Sequence, residues 1–125
     1  MQNGSKDKRA ITGKKGEEFV AQWLKQNGYV ILARNYRVRS GEVDLIAQKN
    51  EVVSFVEVKC RTTHYFSLSE VVTKKKQEKI ARAARFFIAE HANLLLSYRF
   101  DVALIEGENA IVYLENAFSM EQYAW

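Results

Sequence analysis

Apolar residues crowd into two short runs near the middle of the chain, Val43–Ala47 and Val52–Val58, each rich in the Val, Ile, Leu and Phe that favour β-strands. Gln48-Lys49-Asn50-Glu51 between them reads as a tight turn in which Asn50 tolerates a positive φ. Upstream, Phe19, Val20, Trp23 and Leu24 recur at helical spacing. Thr12 is placed to cap that helix, which runs to about Asn27 and stops at Gly28. Tyr29–Asn35, extended to Val38, predicts a strand that Arg39-Ser40-Gly41 turns into Val43–Ala47. Cys60–Leu68 is polar and aromatic without a clear period and reads as loop. Ile80, Ala84, Phe87 and Ile88 mark a second amphipathic helix, capped by Thr73 and ending near His91. Arg99–Ile105 and Ala110–Leu114 follow as strands about a Gly107-Glu108-Asn109 turn. The order αβββαββ predicts an α/β sandwich with a mixed central sheet.

The strands carry charge where a buried sheet tolerates little. Asp44 lies in one run and Glu57 in the other, with Lys59 directly after that run, flanked by apolar neighbours on both faces. Glu42 stands at the edge of the first run beside the Gly41 turn, where exposed carboxylates are common. An isolated buried charge costs several kcal/mol or more, so clustered carboxylates need a compensating partner, and Mg²⁺ or Mn²⁺ prefers such all-oxygen ligands. Period-two alternation points Glu57 and Lys59 to one face and pairs Glu42 with Asp44. A two-residue loop at Lys49-Asn50 sets Asp44 opposite Phe55, and one at Asn50-Glu51 sets it opposite Glu57. Both registers bring Asp44 to the face of Glu57 and Lys59, whereas a three-residue loop without a bulge would send it to the other face. Glu17, in the first turn of the first helix, is read as dipole compensation, and Asp101 as a structural acid with an arginine partner.

Composition narrows the field. At 125 residues, 47% hydrophobic and 27% charged, the chain has the size and make-up of one soluble domain. Residues 12–118 form that domain, with a disordered basic tail at 1–11 and a short C-terminal tail at 119–125. The sequence has no apolar run of membrane-spanning length, its polar and basic Met1–Lys15 stretch argues against a secretory signal, and its single Cys60 fits a reducing cytoplasm. A net charge of +4 is a mild nucleic-acid signal whose distribution says more. Arg34, Arg37 and Arg39 cluster before Gly41, as residues that line a nucleic-acid groove or simply solvate a hairpin. Lys74, Lys75 and Lys76 stand against the dipole at the start of the second helix, an arrangement suited to phosphate, with Gln77 beside them. His64 and Tyr65 fall in the loop after Lys59. The sequence shows no zinc spacing, glycine-rich phosphate loop or Ser/His/Asp arrangement.

The spacing Asp44…Glu57-Val58-Lys59 resembles the PD-(D/E)xK nuclease signature in a form lacking the proline. With Gly16-Glu17, Trp23-Leu24, Gly28-Tyr29, Ala33-Arg34-Asn35-Tyr36-Arg37, Gly41–Ile46, Val72-Thr73, Lys76-Gln77, Arg99–Val102 and Asn116-Ala117-Phe118, residues 12–118 resemble the uncharacterised bacterial YraN family. Archaeal Holliday-junction resolvases are more faintly similar. The resemblance implies a restriction-endonuclease-like α/β sandwich whose mixed sheet is flanked by helices, and a Mg²⁺- or Mn²⁺-dependent deoxyribonuclease acting on branched or otherwise structured DNA as a homodimer. It implies Asp44, Glu57 and the Val58 carbonyl as metal ligands, and Lys59 as the group that orients or deprotonates the attacking water or stabilises the phosphorane. It implies Glu17 as a further site acid. The alternatives are a non-cleaving nucleic-acid-binding protein on the same fold, and an interaction factor whose carboxylates form a structural ion cluster.

Overall fold

In the computed structural model the described residues are 13–61, 72–91, 93, 95–107 and 109–119. Helix α1 spans Gly13–Gln26, and strands β1 Val30–Val38, β2 Gly41–Lys49 and β3 Val52–Arg61 follow. Helix α2 spans Lys74–Glu90, and strands β4 Ser97–Glu106 and β5 Ala110–Phe118 complete the fold. The five strands form one sheet in sequence order, antiparallel throughout except for the parallel pairing of β3 with β4 across α2. This is the αβββαββ order and mixed sheet that the hydrophobic pattern predicts.

Both helices owe their limits to local chemistry. Gly28, at φ +91°, closes α1 with paired bonds from Gly28 N–H to the Lys25 carbonyl and from Tyr29 N–H to the Leu24 carbonyl. Thr73 caps α2, its hydroxyl accepting the Lys76 N–H at 3.2 Å. The helices cover opposite faces of the sheet. Val20, Ala21 and Leu24 of α1 join Leu45, Ala47, Val56, Ala103 and Ile105 in one apolar layer. Ile80, Ala83, Ala84 and Phe87 of α2 join Val43, Ile46, Phe55, Phe100 and Val102 in the other. At about 25 cal/mol per Å² of apolar surface, these two layers supply the main drive for folding.

The β2–β3 loop is Asn50-Glu51, with Asn50 at φ +55° and Lys49 paired with Val52. That selects the second of the two-residue loops and rules out the three-residue one: Leu45 pairs with Val56, and Asp44 comes level with Glu57. Strand β3 runs on through Cys60 and Arg61, so the predicted loop begins later than Cys60. Parallel pairing of Cys60 with Ile105 and of Arg61 with Glu106 extends the strand. Thr12, His64, Tyr65, the predicted N-terminal tail at 1–11 and the predicted C-terminal tail beyond Ser119 lie outside the described residues. No helix among the described residues is long and apolar enough to cross a membrane.

Candidate functional site

Glu57 is the central anomaly. It is 2% exposed on the middle strand, and its Oε1 is buried without a hydrogen-bond partner. Its Oε2 faces two ammonium groups, Lys59 Nζ at 3.4 Å and Lys76 Nζ at 3.7 Å. Burial and the neighbouring Asp44 carboxylate push the Glu57 carboxyl up to about 8, against the pull of Lys76 and Lys59. The fold therefore keeps an acid where its charge is poorly paid for, a pattern that belongs to working sites more than to scaffolds.

Asp44 sits where alternation along β2 breaks. Leu45 and Ala47 face α1 while Ile46 faces α2, so strict alternation would turn Val43 toward α1. Val43 instead packs under α2, and the irregularity falls at Asp44. Across the ladder Arg34 pairs with Leu45 and Tyr36 with Val43, which leaves Asn35, at φ +49°, level with Asp44. The simple pairing of Glu42 with Asp44 by alternation is thereby corrected. Asp44 reaches both sheet faces: its carboxylate raises the pKa of Glu17 of α1 as well as that of Glu57. Its Oδ2 also accepts the Val58 N–H at 2.8 Å, taking a backbone donor from the strand that carries Glu57.

Glu17 is the fifth residue of α1 as described, and the first turn contains no acid, so dipole compensation does not account for it. Its Oε1 accepts from the Asn35 side-chain amide at 2.9 Å, which holds the carboxylate over the hairpin. Burial and Asp44 raise its pKa, with Asn35 and Arg37 opposing. Glu42 takes Lys76 Nζ at 3.2 Å, and that bond and charge hold its carboxyl below the usual range. Among the described residues no group of three or more His, Cys, Asp or Glu side chains forms a ready metal cage. Asp44 and Glu57 still suit Mg²⁺, which is commonly held by one or two carboxylates with its remaining positions left to water. The orphaned Glu57 Oε1 is the oxygen such an ion would satisfy.

The predicted basic residues divide. Lys74 and Lys75 are exposed on the first turn of α2, while Lys76, grouped with them in sequence, is turned inward onto Glu42 and Glu57. Gln77 spends a side-chain donor on the Val72 carbonyl at 3.0 Å, anchoring the entry to α2. Arg34 pairs with Glu18 on the exposed face of β1. Arg37 and Arg39 are exposed on the β1–β2 hairpin, and Arg37 lies close enough to lower the pKa values of Glu17 and Glu42. Cys60 has no activated thiol, because burial pushes its pKa up.

Two contributors escape the sequence pattern. Gly41 reads as a turn residue, but a Cβ there would lie 2.2 Å from the Lys79 carbonyl oxygen and 3.0 Å from the Ala83 nitrogen. The bare backbone lets α2 press against β2, which brings Lys76 to Glu42. Asn35, an amide in an otherwise apolar and basic strand, was the signal for the Glu17 support. Asp101 has the arginine partner expected of it: Arg99 grips it through Nε at 2.8 Å and Nη2 at 2.9 Å.

The fold resembles that of a Holliday junction resolvase from Archaeoglobus fulgidus, with a TM-score of 0.51 and 17% identity over 87% of this chain and 78% of that one. A UPF0102 protein of Sulfurihydrogenibium is 46% identical over 110 residues, 87% of this chain and 95% of its own. A second, from Desulfosudis oleivorans, is 38% identical over 90% of this chain and 93% of its own. The model of the uncharacterised protein family UPF0102 matches residues 16–105, and this chain belongs to that family.

Proposed function

We propose that this protein is a divalent-metal-dependent endonuclease that hydrolyses phosphodiester bonds in structured or branched DNA. The observation that carries the reading is a buried, half-satisfied Glu57 level with Asp44, with Lys59 on the same strand face 3.4 Å away. The resolvase fold of the structural neighbour supports it. Asp44, Glu57 and the Val58 backbone carbonyl would hold Mg²⁺ or Mn²⁺, which neutralises phosphate oxygens and acidifies a water. Lys59 orients that water or carries charge developing on the phosphorane. Glu17, braced by Asn35, sets the far side of Asp44. Lys74 and Lys75 on α2, with Arg37 and Arg39 on the hairpin, meet the DNA backbone, and two copies would cut two strands.

The test is a panel of junction, flap, nicked and single-stranded DNA with Mg²⁺ or Mn²⁺. Cleavage by the wild type, lost in Glu57→Ala and Lys59→Ala with DNA binding retained, is the expected result. Intact substrates across a protein titration would sink the reading. A second reading, a non-cleaving nucleic-acid-binding protein, is favoured by one observation: Lys76 and Lys59 already place two cations on the Glu57 carboxylate. It predicts salt-dependent DNA affinity without turnover.

A further inference from the structure

Lys76 stands apart from its sequence neighbours. Its backbone N–H is fixed by the Thr73 cap, yet its side chain leaves the helix surface to reach Glu42 Oε2 at 3.2 Å and Glu57 Oε2 at 3.7 Å. The helix dipole does not hold it there, since a cation in the first turn is disfavoured. The carboxylates do. Burial works against the Lys76 charge, but Glu57 and Glu42 outweigh it and raise the ammonium pKa.

The charge is unevenly distributed over Glu57. Oε2 faces both Lys59 and Lys76, while Oε1 has no partner. A divalent ion on this carboxylate adds two positive charges beside two ammonium groups already in place, and one of them must yield. Lys59 belongs to a central strand paired with β4. Lys76 stands on the first turn of α2 and is tied to the site by its flexible side chain alone, partly through the 41% exposed Glu42. The exposed pair with Glu42 contributes little, and the longer 3.7 Å approach to the buried Glu57 is the contact that an incoming cation would replace.

We propose that Lys76 is a tethered counter-ion that a divalent cation displaces from Glu57, and that the released ammonium then pairs with a DNA phosphate beside Lys74 and Lys75. This rests on the metal-binding reading above. It makes metal and polyanion binding mutually reinforcing, because each favours the outward Lys76.

Lysine acetylation footprinting of the full chain by mass spectrometry tests it, with thermal shift in Mn²⁺ measured in parallel on wild type, Lys76→Met and Lys75→Met. Lys76 labelling should rise several-fold when Mn²⁺ is added and fall again when a DNA junction is added. Lys76→Met should bind Mn²⁺ about ten-fold more tightly than wild type or Lys75→Met, having lost one adjacent positive charge. If wild type binds Mn²⁺ and Lys76 labelling stays flat, the displacement is wrong and the metal reading stands. If labelling rises with Mn²⁺ but the junction does not restore protection, the phosphate half is wrong. If neither wild type nor Lys76→Met binds Mn²⁺, this inference and the metal reading both fall.

Discussion

Asp101 on β4 and Glu57 on β3 are both buried acids on neighbouring strands, and the fold surrounds them differently. Asp101 accepts four hydrogen bonds: two from Arg99, one from the Tyr113 hydroxyl at 2.6 Å and one from the Asn116 backbone at 2.9 Å. Arg99 is braced in turn by the Tyr29 hydroxyl and Ser54, and Asn116 adopts φ +53° within a β5 irregularity that turns its N–H inward. Burial and the Asp101 charge raise the pKa of Tyr113, so its hydroxyl remains a donor across the physiological range. Glu57 has two ammonium groups at the outer limit of ion pairing and one oxygen with no partner. A satisfied buried charge is scaffold; an unsatisfied one, kept beside a second carboxylate, is the place to look for chemistry.

The sharpest way to break this contrast is to remove Asp101. Asp101→Ala removes four hydrogen bonds, leaving the Tyr113 hydroxyl without its acceptor and the Arg99 guanidinium with the exposed Glu115 carboxylate at 3.6 Å. It should destabilise the protein by about 3–5 kcal/mol in chemical denaturation. A loss below about 1 kcal/mol would mean that Asp101 is not the scaffold acid described. Next in size, Gly41→Ala forces a methyl against the backbone of α2. It should cost about 1–3 kcal/mol and move Lys76 off Glu42, visible as faster Lys76 acetylation without metal.

Glu57→Gln should act in the opposite direction. The Glu57 carboxyl rises from 4.5 to about 8 in the native state, so the folded protein keeps a proton that the unfolded chain has released. The contribution of Glu57 to native stability is then full below about pH 4.5, declines as pH climbs to about 8, and is lost above it. Glu57→Gln should flatten that decline and, near pH 8, gain stability on the order of 1 kcal/mol. Thermal unfolding across pH 4 to 9 measures this, and an unchanged pH profile would refute the native-state proton. Added Mg²⁺ should stabilise wild type most near pH 8, where the ionised carboxylate is available, and leave Glu57→Gln unmoved. The smallest effect falls on the surface. Lys74→Ala with Lys75→Ala should leave stability within about 0.5 kcal/mol and reduce the salt dependence of DNA binding by about one unit of slope per lysine. An unchanged slope would remove those two residues from the DNA surface.

Local sequence determined the elements. The apolar runs, the Thr73 cap and the Gly28 stop act within a few residues, so their positions could be read without knowing the fold, and the order of elements followed. The approach of Asp44 to Glu57 was legible as well, because strand alternation and a two-residue turn fix faces over a short hairpin. Other relations depended on residues far apart in the chain. Which two-residue turn formed, the break in alternation at Asp44, and the support of Glu17 by Asn35 needed β1, β2 and α1 in place together. Lys76 looked like one of three equivalent lysines until α2 packed on Gly41. Its orientation depends on the charge of Glu42, 34 residues away. Propensity and periodicity are properties of neighbours along the chain, whereas the satisfaction of a buried charge is decided by whatever the fold sets against it.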